Sequence, residues 1–251
     1  MTEAEPQPQP QPQRSTLRTR RREEVLGAIR AAAGAELEGQ GAAALSLRAV
    51  ARRVGLAPSA LYRYFPGRDD LLTDLVVAAF DAHADAVQAA AGRHRDPLAA
   101  VRAALLEYRA WAVANPARFG LLYGAPVPGY AAPPETIGPG ARVGDLVVGL
   151  VEQLHAQHRL DAESLRHRAS RLDRGTASEL AALARRRGYT LPVEAIALGV
   201  DGFVRIHGVT VMEVFGQLRP LTSRPAPYVE QTVDAVLAEL VGPAAGPREA
   251  R

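Results

Sequence analysis

The sequence predicts an all-α protein, and three observations lead to this prediction. Hydrophobic residues make up 47% of the 251-residue chain but aromatic residues only 5%, so alanine, leucine and valine supply most of the apolar side chains. Alanine and leucine have high helix propensity. Apolar residues also recur at intervals of three and four along most of the chain, and no period-two alternation extends beyond a few residues, so we expect no β-sheet.

Composition divides the chain into four segments. Residues 1–13 alternate glutamine and proline after an acidic start, and residues 242–251 are a short tail of glycine, proline, alanine, glutamate and arginine. Both have little to bury and are expected to be disordered. Between them we expect a small helical domain over residues 14–68, called the head, and a larger helical domain over residues 69–241, called the body.

Four helices are expected over the head and the first part of the body. Helix starts are marked by capping or proline residues, and helix ends by glycine or proline. In order, the helices are one with an apolar stripe from Val25 to Leu37, a short one capped by Ser46 and ended by Gly55, one over Pro58–Phe65, and a long one over about Asp69–Ala91.

The remainder of the body is expected to be helical as well, with two irregular segments. Gly124–Gly140 is rich in proline and glycine and is predicted to be a loop, and the charged stretch Arg159–Gly175 is predicted to be a loop or a frayed helix. The expected helices are Pro97–Ala114, Pro116–Tyr123, Gly140–Gln157, Ser178–Arg187, Pro192–Leu218 and Pro227–Val241.

Charge is concentrated in the head although the whole chain carries only +3. From Arg14 to Arg68 there are eleven arginines against four glutamates, a net charge of +7. A basic segment at one end of a nearly neutral chain indicates a polyanionic partner, and a solvated basic face is the alternative. Lysine is absent from the whole chain, so arginine is a general preference here and not a choice made at particular sites.

Several function classes are disfavoured. The absence of cysteine excludes a disulfide framework and thiolate chemistry. No apolar run is long enough to predict a membrane span, and the N-terminus does not resemble a signal peptide, so we expect a cytoplasmic protein. We find no nucleophile elbow, phosphate-binding loop or paired carboxylates, so an enzyme built on a helical bundle is the weaker alternative.

The head has the arrangement of a helix-turn-helix. Such a unit needs a support helix, a tight turn and a second helix whose outer face enters the major groove. In the second helix Leu61 and Phe65 are expected to face the core, whereas Ser59, Tyr62 and Arg63 share the opposite face. A face of hydroxyls and a guanidinium group without carboxylates suits phosphates and base edges. We therefore predict that the head binds double-stranded DNA.

The segment Ser46–Leu72 resembles the signature of the tetracycline-repressor (TetR) family of bacterial regulators. The matching elements are Ala49-Val50-Ala51, Val54-Gly55, the stretch Pro58–Phe65 and Gly67–Leu72. Three positions depart from the usual family pattern: Ala57 precedes Pro58 where a hydroxyl residue often caps the helix, Tyr64 replaces a frequent histidine, and Arg68 replaces the usual lysine. A lost cap typically costs about 1 kcal/mol.

The resemblance implies roles for particular residues. Tyr62, Tyr64, Arg68 and the backbone amide of Ser46 would contact phosphates, while Ala60 and Arg63 would face base edges. Arg18 or Arg20 on the N-terminal arm would reach the adjacent backbone or minor groove. The predicted DNA-binding set is Arg18, Arg20, Ser46, Arg48, Ser59, Ala60, Tyr62, Arg63, Tyr64 and Arg68.

The body resembles a TetR subgroup with a Trp-x-x-x-His-Gly pattern in its sensor domain. The matching residues are Phe203, which replaces the tryptophan, His207 and Gly208. Glycine inside a helix costs about 1 kcal/mol relative to alanine, so Gly208 predicts close helix packing, for example at a dimer interface. His207 is interpreted as a core or interface histidine in preference to a ligand-binding group.

The family resemblance also implies a homodimer and a small-molecule site. We expect dimerisation through the helices near residues 192–218 and 227–241, and an effector pocket beside the fourth helix. The apolar residues expected at the dimer interface are Val200, Val204, Val211 and Val214 on the first helix, and Val229, Val233, Val236, Leu237 and Leu240 on the second. His155 and His158 could share a metal in principle, but no carboxylate partner is evident, and we predict neither a metal nor a cofactor. The predicted pocket residues are Phe80, His83, Tyr108, Trp111, Phe119 and Tyr123; ordinary core packing is the alternative for each.

Together these observations predict a homodimeric repressor that binds a palindromic operator and is released by a small hydrophobic effector. A regulator that acts as an activator or through a protein partner remains an alternative.

Overall fold

The computed structural model describes residues 17–242 and consists of α-helices joined by turns and two short 3-10 helices. It contains no β-strand in this range, so the predicted all-α class is confirmed. Two compact units meet in sequence between Leu71 and Leu72. The first unit contains the head and the second contains the body.

The head comprises three helices and the beginning of a fourth. Its core is formed by apolar side chains from each helix, among them Ile29, Val50, Leu61 and Phe65, which are buried as the sequence pattern predicts. The elements are α1 (Leu17–Gln40), a 3-10 helix (Ala42–Ala44), α2 (Leu47–Val54), α3 (Pro58–Leu61) and α4 (Arg68–Ala91), which continues into the body.

The regular part of the third helix is shorter than predicted. α3 ends at Leu61, but the Tyr62 amide donates to the Pro58 carbonyl at 3.1 Å and the Phe65 amide donates to the Leu61 carbonyl at 3.0 Å. Helical turns therefore continue to Phe65. Gly55 ends α2 in the left-handed region at φ 74°, as expected for a tight turn. Ser46 occupies the N-cap position of α2, but its side chain makes no capping hydrogen bond.

The body contains the remainder of α4 and seven further helices within the described residues. α5 lies at its centre, packed against α7, α10 and α11. The buried side chains of α5 include Val101, Ala104 and Tyr108. The helices are α5 (Pro97–Ala114), α6 (Pro116–Tyr123), α7 (Ile137–Ala156), α8 (Ala162–Arg171), α9 (Arg174–Arg187), α10 (Val193–Val214) and α11 (Pro225–Val241).

Of the two alternatives predicted for residues 159–175, the loop is wrong, because this stretch contains α8 and the start of α9. Each helix begins at an aspartate that caps it: Asp161 accepts from the Ser164 amide at 2.7 Å, and Asp173 accepts from the Thr176 amide at 3.0 Å. An N-cap carboxylate accepts a hydrogen bond from a free backbone amide at the helix start, and its negative charge interacts favourably with the positive end of the helix dipole. These local caps stabilise helices whose charged surface conceals their apolar periodicity.

The boundaries of α7 and α10 also differ from the prediction. α7 begins at Ile137 inside the stretch expected to be a loop, and Pro139 falls in its first turn, where the missing amide hydrogen needs no partner. α10 ends at Val214, four residues before the predicted Leu218, and Gly216 follows with φ 75°.

Among the described helices, α10 is long and apolar enough to cross a membrane by length and composition alone, although Glu194, Asp201 and Arg205 interrupt its apolar runs. Of its most apolar 18-residue window, 39% is buried. A core helix of a soluble protein meets the same criteria. Its exposed apolar side chains include Val200, Phe203 and Val204, and Phe215 is exposed just after its end. Val200, Val204 and Phe215 belong to the surface considered below.

The close helix contact predicted at Gly208 is found instead at Gly202. A Cβ atom on Gly208 would meet nothing within 4 Å in the described chain, whereas a Cβ on Gly202 would lie 2.7 Å from Cγ1 of Val236 on α11. Gly202 is therefore the glycine that allows α10 and α11 to approach. Because the space beside Gly208 is open, its predicted role in close packing at a dimer interface stays a prediction.

We expect Gly202→Ala to destabilise the body, because overpacking costs about 1–3 kcal/mol and exceeds the helix-propensity gain of about 1 kcal/mol. Val236→Ala should relieve the clash, so the double variant should be more stable than the sum of the single changes predicts. Gly149→Ala is the control, since a Cβ there meets nothing within 4 Å and should stabilise α7. Urea unfolding at one protein concentration measures all four variants, and additive effects of Gly202→Ala and Val236→Ala would contradict the contact.

Candidate DNA-binding surface and ligand cavity

The helical turns that follow the Gly55 turn present a polar outer face. Tyr62 is 46% exposed, and Ser59 and Arg63 are exposed as well, while Leu61 and Phe65 are buried on the other side. Within the described residues, the side chains of Ser59, Tyr62 and Arg63 make no hydrogen bond or ion pair. The predicted division of this segment into a core face and a free polar face is therefore present.

Tyr64 is held from α1. It is half-buried, and the Arg22 guanidinium lies 5.4 Å from the centre of its ring, in a cation–π arrangement. Arg20 is exposed on the same helix. The side chain of Arg18 lies outside the described residues, so its predicted arm contact has no structural counterpart here.

Arg68 occupies a different environment from the one expected for a phosphate ligand. Its Nε donates to the Leu45 carbonyl at 3.1 Å, and its Nη2 donates to the carbonyls of Ala42 and Ala43 at 3.0 and 3.1 Å. The remaining nitrogen, Nη1, is 3.8 Å from an Asp69 carboxylate oxygen. The guanidinium group thus fastens the segment before α2 to the start of α4, a role that the sequence pattern did not indicate.

The other predicted DNA-binding residues border this segment and the recognition face. Ser46 and Arg48 are exposed at the start of α2, and Ala60 is half-buried in α3. On the same support helix, Arg53 donates to Glu36 at 3.0 and 3.1 Å, which links α2 to α1. Arg48 makes no such link within the described residues and remains available to an anion.

The body contains an apolar cavity of about 290 Å³ between α5, α7 and α10. α10 supplies the largest share of the wall, apolar side chains of α5, α7 and α11 supply most of the rest, and tyrosine side chains provide polar groups. Lining residues are Leu105, Tyr108, Tyr123, Val143, Gly144, Val147, Leu183, Tyr189, Phe203 and Ile206, with others from α10 and α11.

Two of the six predicted pocket residues, Tyr108 and Tyr123, line this cavity. The other four, Phe80, His83, Trp111 and Phe119, are not in its wall. Phe119 and His83 are buried in the core. Phe119 and His83 therefore occupy the core, which was the alternative to a pocket role.

His83 forms a buried stack with two aromatic rings. Its ring lies 4.4 Å from that of Trp111, at 12° between planes, and 4.5 Å from that of Tyr108. Nε2 of His83 is 3.2 Å from the Tyr108 carbonyl oxygen, whereas Nδ1 has no hydrogen-bond partner among residues 17–242. Burial lowers the pKa of His83 to about 4, so the ring is neutral at physiological pH.

Tyr108 joins the cavity to His207. The Tyr108 hydroxyl lies 2.8 Å from Nδ1 of His207, whose ring stacks on Phe203 and meets Tyr123 edge-on. Burial lowers the pKa of His207 and raises the pKa of both tyrosines. The neutral phenols of Tyr108 and Tyr123 therefore form the polar end of the cavity, and the Tyr108 hydroxyl is in turn bonded to the neutral imidazole of His207.

The sequence prediction missed most of the cavity wall. It chose aromatic side chains, whereas the wall consists mainly of valine, leucine and glycine. On α7, Val143, Val147 and Val151 recur at intervals of four beside Gly144 and Val148, so apolar and small residues cover a wide part of its surface. The unusual width of this apolar surface on α7 is the sequence signal from which this side of the cavity could have been predicted.

Within residues 17–242, no group of three histidine, aspartate or glutamate side chains is placed to hold a metal ion. His155 lies at the end of α7, and His158 follows in the left-handed region at φ 55°.

A free polar helical face above a buried core, following a support helix and a tight turn, defines the head as a helix-turn-helix DNA-binding unit. Comparisons with known sequences agree. A sequence model described as bacterial regulatory proteins, tetR family, matches residues 29–75, and one described as tetracyclin repressor-like, C-terminal domain, matches residues 101–236, more than half of the chain. The chain belongs to the TetR family of bacterial transcriptional regulators.

Individual relatives are consistent with this assignment. The HTH-type transcriptional regulators Rv1816 of Mycobacterium tuberculosis and Mb1846 of Mycobacterium bovis are each 50% identical over 114 residues, which is 43% of this chain and 47% of theirs. The match thus spans about half the length of these curated relatives.

Solved structures give matches over more of the chain. The regulatory protein SCO4313 is 31% identical with a TM-score of 0.72, covering 89% of this chain and all of that one. PfmR of Thermus thermophilus, a TetR-family regulator, is 17% identical with a TM-score of 0.54 over 83% of this chain and 96% of its own; it shares the fold.

Proposed function

We propose that the chain is a cytoplasmic, homodimeric repressor that binds a palindromic DNA operator and releases it when a small apolar effector enters the body. The free polar face of Ser59, Tyr62 and Arg63 in the head carries this proposal. Family membership favours a regulator over the helical-bundle enzyme considered above. The Trp-x-x-x-His-Gly subgroup is part of the proposal, supported by His207 and Gly208 on α10.

DNA recognition is assigned to the outer face of the head. Tyr62, Ser46 and Arg48 are proposed to contact phosphates, and Arg63 to contact a base edge, because arginine pairs in a bidentate manner with guanine in the major groove. Ala60 would contact a neighbouring base, and Arg20 the backbone beside the arm. Tyr64, held by Arg22, would supply a phosphate contact from a fixed ring.

Selection of bound sites from random DNA, followed by affinity measurements at several salt concentrations, tests this assignment. We expect a palindrome, and a plot of log affinity against log salt concentration that falls by about 0.9 per phosphate contact. Arg63→Ala should relax base preference at one position in each half-site. Arg118→Ala, an exposed body arginine, is the charge-matched control and should leave preference unchanged. Recovery of unrelated sequences by the wild-type protein would contradict operator recognition.

Dimerisation is assigned to the exposed apolar face of α10. Val200 and Val204 are exposed on one side of the helix, half-buried Val211 follows seven residues later, and exposed Phe215 stands just after the helix end. Gly208 lies beside this stripe with open space around it. A second copy related by two-fold symmetry could bring its own α10 close at this glycine.

The part that α11 was predicted to play is wrong in detail. Val229, Val233, Leu237 and Leu240 are buried in the core of their own chain and are not available to a partner. The outward face of α11 carries Tyr228 instead, which is 53% exposed. We assign this outward face of α11, and not its buried valines and leucines, to the dimer contact.

The effector is proposed to act on α4, which begins in the head at Arg68. Two contacts connect the cavity wall to this helix. A Cβ on Gly140 would lie 3.2 Å from the Phe80 ring, and the rings of Phe80 and Tyr123 are 6.0 Å apart. A ligand that moves Tyr123 or the start of α7 therefore acts directly on Phe80.

Charged contacts connect the same two helices. Arg142 of α7 pairs with Asp81 at 2.7 Å and with Asp85 at 2.6 Å, both on α4. A shift of α7 would therefore move α4 through these ion pairs as well. The effector lowers DNA affinity only to the extent that it prefers one position of α4, and a 100-fold preference corresponds to about 2.7 kcal/mol.

A further inference from the structure

We propose that the cavity selects an uncharged, mainly apolar molecule with one hydrogen-bonding oxygen, which the Tyr108 and Tyr123 hydroxyls bind. This inference rests on the proposed function only in taking the occupant to be the effector. The chemical selectivity itself follows from the cavity wall.

The shape and lining of the cavity favour an apolar body. Most of the wall consists of aliphatic side chains such as Val143, Val147 and Leu105, and the glycines of α7 and α10 leave room beside them. Burial of apolar surface in such a space contributes about 25 cal/mol per Å². The cavity volume of about 290 Å³ suits a small molecule of roughly eight to twelve carbon atoms.

The polar end of the cavity has hydrogen-bonding capacity but no net charge. Burial raises the pKa of Tyr108 and Tyr123, so both keep their hydroxyl protons, and burial keeps His207 neutral by lowering its pKa. The Tyr108 hydroxyl already contacts Nδ1 of His207, which fixes the ring of Tyr108 at the cavity wall. A ligand hydroxyl or carbonyl oxygen can enter this network without bringing a charge.

The charged side chains at the cavity are already paired. Arg205 and Glu239, the charged residues of the lining, are joined by two hydrogen bonds from Arg205, at 2.8 and 2.6 Å. No cation among the described lining residues is therefore free to neutralise a ligand carboxylate. At the buried end beside Tyr108, an ionised head group would stay unpaired at a penalty of several kcal/mol, so this end of the cavity discriminates against anions and cations alike.

Calorimetric titration of the full chain with an octyl series tests this selectivity. The probes are 1-octanol, 2-octanone, octanoate and octylammonium at pH 7.5, which differ in head group and share one apolar chain. We expect the alcohol and the ketone to bind at least about 30-fold more tightly than either ion, because the ions lack a partner charge. Tighter or equal binding of octanoate would overturn the proposal, and so would absence of binding by the alcohol and the ketone.

Variants that remove one hydroxyl identify the polar end. Tyr108→Phe and Tyr123→Phe should each weaken 1-octanol up to about 10-fold while leaving octane binding unchanged, since a neutral hydrogen bond contributes about 0.5–1.5 kcal/mol. Octane at its saturation concentration also reports whether each variant keeps an intact cavity. Tyr130→Phe is the control, because its hydroxyl bonds Thr73 and is not in the cavity wall. Equal loss in all three variants would overturn the assignment to Tyr108 and Tyr123.

The same probes distinguish the preference of the cavity for neutral ligands from its role in releasing DNA. Operator affinity is measured by fluorescence anisotropy with and without 1-octanol at saturating concentration. If 1-octanol binds selectively but operator affinity does not fall, the effector role of the cavity fails and its preference for neutral ligands stands. If octanoate binds best and releases DNA, the effector role stands and the preference fails.

Discussion

Val204→Glu is expected to convert the dimer into a monomer and to abolish tight operator binding. Val204 is 60% exposed in the centre of the apolar stripe on α10. Two-fold symmetry would place both introduced carboxylates at the same interface. An unpaired charge in an interface costs about 2–5 kcal/mol, enough to shift a micromolar equilibrium toward monomer. One head reads only a few base pairs, so affinity should fall about 1000-fold or more, to the non-specific level.

Sedimentation at micromolar concentration and DNA-binding titration measure the two effects on the same samples. Val113→Glu is the matched control, because Val113 is a 41% exposed valine on α5, away from the stripe. It should leave both mass and affinity unchanged. A dimeric Val204→Glu protein with wild-type affinity would place the interface elsewhere, and a monomeric wild-type chain would refute dimerisation through this face.

The turn and the core-facing side chains of the head could be predicted from the sequence because their signals are local. Gly55 must take a positive φ angle for the tight turn, and the interval between Leu61 and Phe65 determines which side faces the core. The hydrogen-bonding partners of Arg68 could not be predicted in this way. They are backbone carbonyls more than twenty residues away, and no pattern of side chains marks such acceptors.

The body was less predictable because its features depend on contacts between distant helices. Gly202 and Gly208 both stand in α10, but only the position of Val236 determines which one is crowded. The valines of α11 have the periodicity of an interface and of a core equally, and the packing of α11 on α5 and α10 decides between them. Likewise, the cavity exists where side chains of α5, α7 and α10 fail to meet, and periodicity does not report unfilled space.

Substitution of Arg68 tests whether its guanidinium group positions the segment before α2, a role that the family pattern does not indicate. Its guanidinium fork donates to three carbonyls just before Ser46, whose amide is proposed to bind a phosphate. We expect both Arg68→Lys and Arg68→Ala to destabilise the head by about 2 kcal/mol, because lysine cannot reproduce the fork geometry. Operator affinity should fall for both variants at every operator.

The salt dependence of binding distinguishes this positioning role from a direct phosphate contact. If Arg68 positions Ser46, its variants lower affinity but keep the wild-type slope of log affinity against log salt concentration. Arg48→Ala is the comparison, because Arg48 is exposed and free within the described residues, and losing its proposed phosphate contact should reduce the slope by about 0.9. If Arg68→Lys binds like the wild type and Arg68→Ala reduces the slope by the same amount, Arg68 contacts a phosphate directly. Its bonds to the three carbonyls would then be broken in the DNA complex, because one guanidinium group cannot hold both geometries.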